Sequence, residues 1–302
     1  MIHEDAILSK TYVSKYLKLE EAMKTIDANR IVETVEKLCI DANYYLNKDI
    51  FNGLEEGLKI EESEIGKGIL NQLIENANIA GVEKMAICQD TGMAVIFADV
   101  GQDIHITGGA LSDAINEGVR RGYKNGYLRK SVVRDPIDRV NTGDNTPAII
   151  HYNIVEGDNL KITVAPKGFG SENMSGLKML KPSDGLEGVK RFILETVGNA
   201  GPNPCPPMVI GVGIGGTMEK AALLAKRALL RPINERSDIE YVKSLETEML
   251  SGVNKLGIGP SGLGGRVTAL AVNIEVYPTH IAGLPVAVNI NCHATRHAEA
   301  VL

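Results

Sequence analysis

The sequence predicts a mixed α+β fold, a helical N-terminal part followed by a β-sheet body flanked by helices, and three observations carry that expectation. From about Leu19 to Ala80 apolar residues recur at helical spacing. After Ile79 the texture changes to short apolar runs punctuated by glycine. Further helical patterns then alternate with those runs.

In the first part Val32, Val35, Leu38, Cys39, Ala42 and Leu46 fall on one 3.6-period face. A free cysteine in such a stripe reads as a small buried hydrophobe, which is the role expected of Cys39. The runs MAVIFADVG, AIIHYNIVEGD, LKITVAP, MVIGVGIGG and LAVNIEVYP read as strands, with helical patterns at about Gly109 to Tyr123, Gly188 to Thr196, Thr217 to Leu230 and Ile239 to Leu256. No internal repeat or low-complexity linker marks a boundary. Residues 1–30 read as an N-terminal extension, helical or partly ordered, and 31–302 as one domain.

Composition narrows the function. The 302 residues suffice for a core that needs no staples. With no Trp and four Phe, aliphatic side chains carry that core, and stacking on bases has few platforms. A net charge of −6 disfavours nucleic acid but leaves room for a local basic cluster around a small anion. Val197 to Met218 is uncharged and as long as a membrane span, yet four prolines and several glycines break it, so no membrane helix is expected. The N-terminus carries acids from its fourth residue and no continuous apolar region, which argues against a secretory signal and for a cytoplasmic protein.

Four cysteines lie far apart, so a disulfide framework is not expected in a reducing compartment. Cys88 in AICQDTGMAVIF, Cys205 in GPNPCPPMVIG and Cys292 in VNINCHATRHAE each sit near the end of a strand-like run among turn residues. All three are expected on loops at one edge of a sheet. No C-x-x-C pair supports structural zinc, and no C-x₂-C-x₂-C run supports a ferredoxin-type carrier. A cluster held by three distant cysteines, with one iron open to substrate, is one remaining reading; three unrelated buried thiols are the other. Gln89 and Asp90 beside Cys88, and His293, Arg296 and His297 beyond Cys292, favour a site, because such company is costly to bury unless it binds something.

Gly211, Gly213 and Gly216 meet the dinucleotide pattern G-x-G-x-x-G between an apolar run and a helical one. A nicotinamide dehydrogenase would also need an acidic residue at the end of a second strand about twenty residues on. Glu235 and Asp238 are at that distance, but in the polar, turn-like RPINERSDIE.

Seven segments, CQDTGMAVIF, YLRKSVVRDP, NTGDNTPAIIHYNIVEGD, APKGFGSENMSGLKMLKPSDG, PCPPMVIGVGIGGTMEKAALLAKRALLRPI, LGIGPSGLGG and VNINCHATRHAEAVL, run in the same order as in the α subunit of the class I, iron–sulfur fumarate hydratases, which the chain resembles over roughly residues 31–302. The resemblance implies the α-domain fold of that class and a [4Fe-4S] cluster on Cys88, Cys205 and Cys292, whose fourth iron takes the substrate's hydroxyl and a carboxylate. It implies Gln89, Arg129 and a backbone contact at Gly168 or Gly170 for substrate binding, and Asp90 working with His280 in catalysis. Single-chain relatives often read KGGGS where this chain has KGFGS, so Phe169 leaves open which amide of that loop faces substrate.

The implied reaction is reversible dehydration of (S)-malate to fumarate, in which iron eases departure of the hydroxyl while Asp90 handles its proton. In single-chain relatives the base comes from a C-terminal domain, and the resemblance implies no counterpart of it within these 302 residues. The chain is therefore expected to need a β subunit, in an α2β2 assembly. A tartrate dehydratase α subunit is the near alternative, and a non-catalytic iron–sulfur scaffold or an NAD-dependent dehydrogenase the more distant ones. Under the resemblance the glycine turn is expected to pass close to Cys205, with the helix opening at Thr217 facing an anion.

Overall fold

The computed structural model of the protein describes residues 23–302. The chain enters through β1 (Lys24–Asp27), which pairs in parallel with β3 (Ile104–Thr107). Asp27 then caps α1 (Ala28–Tyr44), its carboxylate accepting from the Asn29 amide at 2.8 Å. Residues 24–30 are thus part of the body, while the rest of the extension expected over 1–30 lies outside the described residues. Helices α2 (Lys48–Ile60) and α3 (Glu64–Glu83) complete the helical first part.

The apolar stripe of α1 packs on α4 (Leu111–Asn125). Gly118 and Gly122 let the two helices meet: a Cβ on Gly122 would stand 2.7 Å from that of Cys39. Cys39 is fully buried there, and burial pushes its thiol pKa up, as befits a packing residue rather than a ligand.

Two four-stranded sheets follow. The first has the order β10 (Ala298–Val301), β5 (Leu160–Lys167), β2 (Met93–Gly101), β4 (Ile149–Val155); the second has β6 (Gly176–Leu180), β9 (Leu284–Asn291), β7 (Met208–Gly215), β8 (Ala269–Tyr277). Both obey one strand logic. A first strand is joined by a helical crossover to a parallel neighbour, and a third strand returns antiparallel on its other side: β2, β4 and β5 in one sheet, β7, β8 and β9 in the other. This repetition leaves no trace as an internal sequence repeat, since burial and crossover length constrain topology without requiring similar residues.

The first sheet packs under α1 and α4 through Ile96, Ile162, Val164, Ile115, Val119 and Tyr123. One face of the second sheet is covered by α6 (Gly185–Ala200) and α8 (Glu240–Asn254), which bury Ile193, Val197, Met249 and Val253 against Ile210, Val212 and Ile290. The other face carries α7 (Met218–Ala228). Strands β3, β6 and β10 were not legible as such. Each has only four or five residues, and none has the uniformly apolar texture of the central strands.

The glycines of MVIGVGIGG serve this packing. A Cβ on Gly211 would come to 2.1 Å from the Ala225 carbonyl oxygen, and one on Gly213 to 2.1 Å from that of Ala221. Gly211 and Gly213 therefore set how closely α7 lies on β7, while Gly216, at φ 68°, turns the chain into that helix. Gly213→Ala is expected to force α7 off the sheet and lower stability by about 1–3 kcal/mol or more. Urea unfolding followed by circular dichroism measures it, and an unchanged midpoint would contradict the packing role. The loop after α7 leads to a second helix rather than to a strand, and Glu235 and Asp238 lie in that loop, so the acidic strand end required by a dinucleotide fold is missing. Among the described residues no helix is long and apolar enough to cross a membrane.

Candidate active site

Cys205 precedes β7 and Cys292 follows β9. Because these strands run antiparallel with Val209 opposite Asn291, the two cysteines arrive side by side. His293 fastens them: its amide donates to the Cys205 carbonyl at 3.3 Å, and its Nδ1 lies 3.1 Å from the same oxygen. Cys88 comes from the other sheet, on the turn leading into β2, and the three line one cavity of about 90 Å³. The thiols therefore meet where the ends of two sheets converge, not along one edge of one sheet as expected. Cys205 holds a left-handed φ of 54°, a strained conformation of the kind that gathers at functional sites.

Among the described residues no three His, Cys, Asp or Glu side chains converge tightly enough to hold a single metal ion. Burial pushes the Cys292 thiol up, with Arg296 pulling the other way, and it also raises the Cys205 thiol, where Cys88 adds to the effect. A group bound through thiolates here must release protons as it binds.

Asp90 is anchored on three sides. Its carboxylate accepts from the Phe169 amide at 2.8 Å and from the Gly92 amide at 3.1 Å, and its carbonyl accepts from Arg296 Nη2 at 2.6 Å. Gln89 is exposed at the rim, where its Oε1 accepts from the Cys88 thiol at 3.3 Å.

The loop bearing Gly168 and Gly170 forms the opposite wall. Its Phe169 amide is committed to Asp90, which leaves the Gly170 amide, in the first turn of α5 (Phe169–Glu172), free of helical bonding. A Cβ on Gly168 would stand 3.1 Å from Asp90 Oδ2. Gly168→Ala is accordingly expected to shift the carboxylate by a few tenths of an ångström and lower kcat by about 3- to 10-fold, less than the roughly 100-fold of a 1 Å misplacement, with little effect on folding. Steady-state kinetics beside a melting curve test it; wild-type kcat in the variant would refute the contact.

Beneath that loop lies a buried ionic network. Lys167 Nζ donates to Ser171 Oγ at 3.0 Å and to the Ile290 carbonyl at 2.9 Å, and it pairs with Glu172 at 3.1 Å, while Lys226 pairs with the same carboxylate. Burial pulls the Lys167 ammonium down to about 8, so it remains charged at neutral pH. Burial also opposes ionisation of Glu172, but Lys167 and Lys226 outweigh it and hold the carboxyl down to about 2. A carboxyl lowered in this way stabilises the fold above its ordinary range, and that contribution is lost as pH falls from 4.5 toward 2. Glu172→Gln is expected to flatten the acid limb of a stability curve measured by urea midpoints at pH 6 and pH 3; an unchanged limb would show the network to be uncoupled from folding.

Asp90 also borders a second cavity of about 520 Å³, whose walls carry Arg129, Ser131, Arg139 and Asn173 beside apolar Met93 and Phe169. Arg129 thus faces the same space as Asp90, and Arg139, which sequence reasoning passed over, joins it there. Its only signal was its place a few residues beyond YLRKSVVRDP.

His280 is not brought to this site. It sits in the exposed loop between β8 and β9, at the end of the sheet opposite Cys292, and the eight residues of β9 span about 23 Å. The helix opening at Thr217 lies beside His280, lining the same far cavity, so its amides face away from all three cysteines, contrary to expectation. β7 begins at the cysteines, but its eight residues carry the turn to the far side.

The sequence matches the family model described as Fumarate hydratase (Fumerase) over residues 32–301. A Methanocaldococcus jannaschii protein provisionally named L(+)-tartrate dehydratase subunit alpha is 46% identical over 275 residues, covering 89% of this chain and 96% of its own length. The L(+)-tartrate dehydratase subunits alpha of Escherichia coli K12 and of Shigella boydii are each 33% identical over 288 residues, covering 94% of both chains.

Proposed function

Since the chain belongs to the fumarate hydratase family of hydro-lyases, we propose that it is the cluster-bearing α subunit of a [4Fe-4S]-dependent enzyme that reversibly dehydrates (S)-malate to fumarate. One observation carries the reading: three cysteines more than eighty residues apart in sequence line one cavity, and Asp90 stands on its wall. The donor set fits the group. Three thiols supply three ligands to a cubane cluster and leave one iron without a protein ligand, and the buried Arg296 beside them offers an unpartnered Nε to a negatively charged group.

Cys88, Cys205 and Cys292 would hold the cluster. When bound, it supplies a Lewis acid that weakens the bond to the departing hydroxyl. Asp90, its carboxylate held by two amides and its carbonyl by a guanidinium, is placed to pass a proton at that oxygen without reorientation, giving it up in dehydration and taking it back in hydration. Arg129 presents a planar fork to a substrate carboxylate from the adjoining cavity, while Gln89 and the free Gly170 amide take up its polar oxygens at the rim. His280 lies beyond the far end of β9, a strand about 23 Å long, and so does not reach Asp90 within one chain; any part it has in proton transfer is played across a subunit boundary.

The catalytic base is assigned to a β subunit, with which the chain forms an α2β2 enzyme. The name subunit alpha borne by the relatives supports the existence of a partner subunit. A second reading, L(+)-tartrate as substrate, is favoured by the same names. The two differ by one hydroxyl, and selectivity is asymmetric: a site built to bond that hydroxyl rejects malate by about 10⁴-fold or more, whereas an apolar wall rejects tartrate by only about 100-fold. The test is anaerobic assay of the chain co-purified with its β partner on malate, fumarate and tartrate. Malate–fumarate interconversion exceeding turnover of tartrate supports the first reading, and turnover of tartrate alone establishes the second. A brown complex without activity on any hydroxydicarboxylate would make the chain a scaffold subunit.

A further inference from the structure

Arg296 is buried, 4% exposed, on the floor of the thiol cavity. It follows Cys292 by four residues and borders a second, small cavity of about 10 Å³ behind, so it lies on the inner side of the thiols, away from the wider cavity that holds Arg129. Its Nη2 donates to the Asp90 carbonyl at 2.6 Å and its Nη1 to the Ala294 carbonyl at 3.4 Å, while its Nε has no partner. Among the described residues no carboxylate pairs with it. A guanidinium taken out of water without a counter-charge is costly to keep, and arginine does not shed its proton.

Charge counting indicates what compensates it. The neighbouring network of Lys167, Lys226 and Glu172 carries two cations and one anion and therefore adds a further positive charge. Asp90 is the one carboxylate on this cavity, but Arg296 meets its carbonyl rather than its carboxylate, whose two oxygens are held by the Phe169 and Gly92 amides; the remaining groups on the walls that can become anionic are the thiols, and they do so when they ligate.

We propose that Arg296 is a positioning residue for the iron–sulfur group, its Nε donating to a thiolate or sulfide sulfur and its cationic charge balancing the ligated thiolates, while its Nη2 locks Asp90 in register with the same group. This rests on the cluster reading above. Donors and positive charge at cluster sulfurs raise the reduction potential, and residues that support ligands strengthen retention of the metal.

The experiment uses the anaerobically reconstituted full-length chain with its β partner, as wild type, Arg296→Gln and Arg296→Lys. The cluster's midpoint potential is read by EPR-monitored titration, and iron retention by the rate of transfer to a chelator. Arg296→Gln is expected to shift the potential to more negative values and to lose iron about 10-fold faster, with Arg296→Lys recovering most of the potential. A side chain that merely packs would move neither. Independently of any variant, the reduced wild-type protein labelled with ¹⁵N-arginine should show nitrogen coupling to the cluster spin, absent in Arg296→Lys. Unchanged potential and retention in Arg296→Gln, or no ¹⁵N coupling in the wild type, overturns the proposal alone. A wild-type chain that takes up no cluster overturns the cluster reading with it.

Discussion

Cys292→Ala is expected to abolish the visible iron–sulfur absorption of the reconstituted chain and, with it, all measurable hydro-lyase activity of the complex. Two thiolates from different sheets cannot hold the group that three hold, and without it no Lewis acid assists loss of hydroxide. Folding should survive, because Cys292 is only half-buried beside small residues such as Ala77 and Ala80. Cys39 provides the opposite pattern. Cys39→Ser places a hydroxyl in the α1–α4 interface and should cost about 1–3 kcal/mol while leaving cluster content and activity per folded molecule unchanged. Absorbance, iron analysis, assay and urea unfolding of both variants check the contrast. Activity retained in Cys292→Ala would refute the site.

Asp90→Asn is expected to lower kcat by about 10²- to 10⁴-fold, the range that a positioned acid or base contributes, with the cluster spectrum intact. Both carboxylate oxygens accept from amides, those of Phe169 and Gly92. Whichever way the asparagine amide turns, its NH₂ therefore opposes one backbone N–H, which should cost roughly 1–3 kcal/mol of stability as well. Kinetics, the cluster spectrum and a melting curve separate these effects. A fall in melting temperature with full kcat would make Asp90 a structural clamp and move the proton transfer elsewhere.

Much of the fold was legible because its signals are local. The 3.6-residue stripe of α1 and the apolar runs of β2, β5, β7 and β8 encode their own burial. The glycines of β7 misled because one pattern serves two purposes: a phosphate-facing turn and a helix lying close on a strand both require the absence of a Cβ. The neighbourhood of Thr217 misled for a related reason, since sequence proximity to Cys205 conceals the length of an extended strand. His280 is twelve residues from Cys292 in sequence, yet it sits beyond the far end of β9 for the same cause. Arg296 was legible as polar company of Cys292, but its unpartnered Nε was not, and the Lys167–Glu172–Lys226 network was out of reach, because both depend on partners contributed or withheld by other elements.

By itself the sequence determined which residue types are available and where: three cysteines in turn-rich, polar settings, a helical first part, strand-like runs after it, and the resemblance that ties them to hydro-lyase chemistry. Tertiary structure alone decided which of them meet. Two sheets built on the same strand logic place the turn before β2, the turn before β7 and the exit of β9 at one junction, and the antiparallel return of β9 sets Cys292 beside Cys205 while carrying His280 away. That division follows from the physics: side-chain chemistry and local periodicity are written residue by residue, whereas convergence depends on strand direction and register, which no single segment contains.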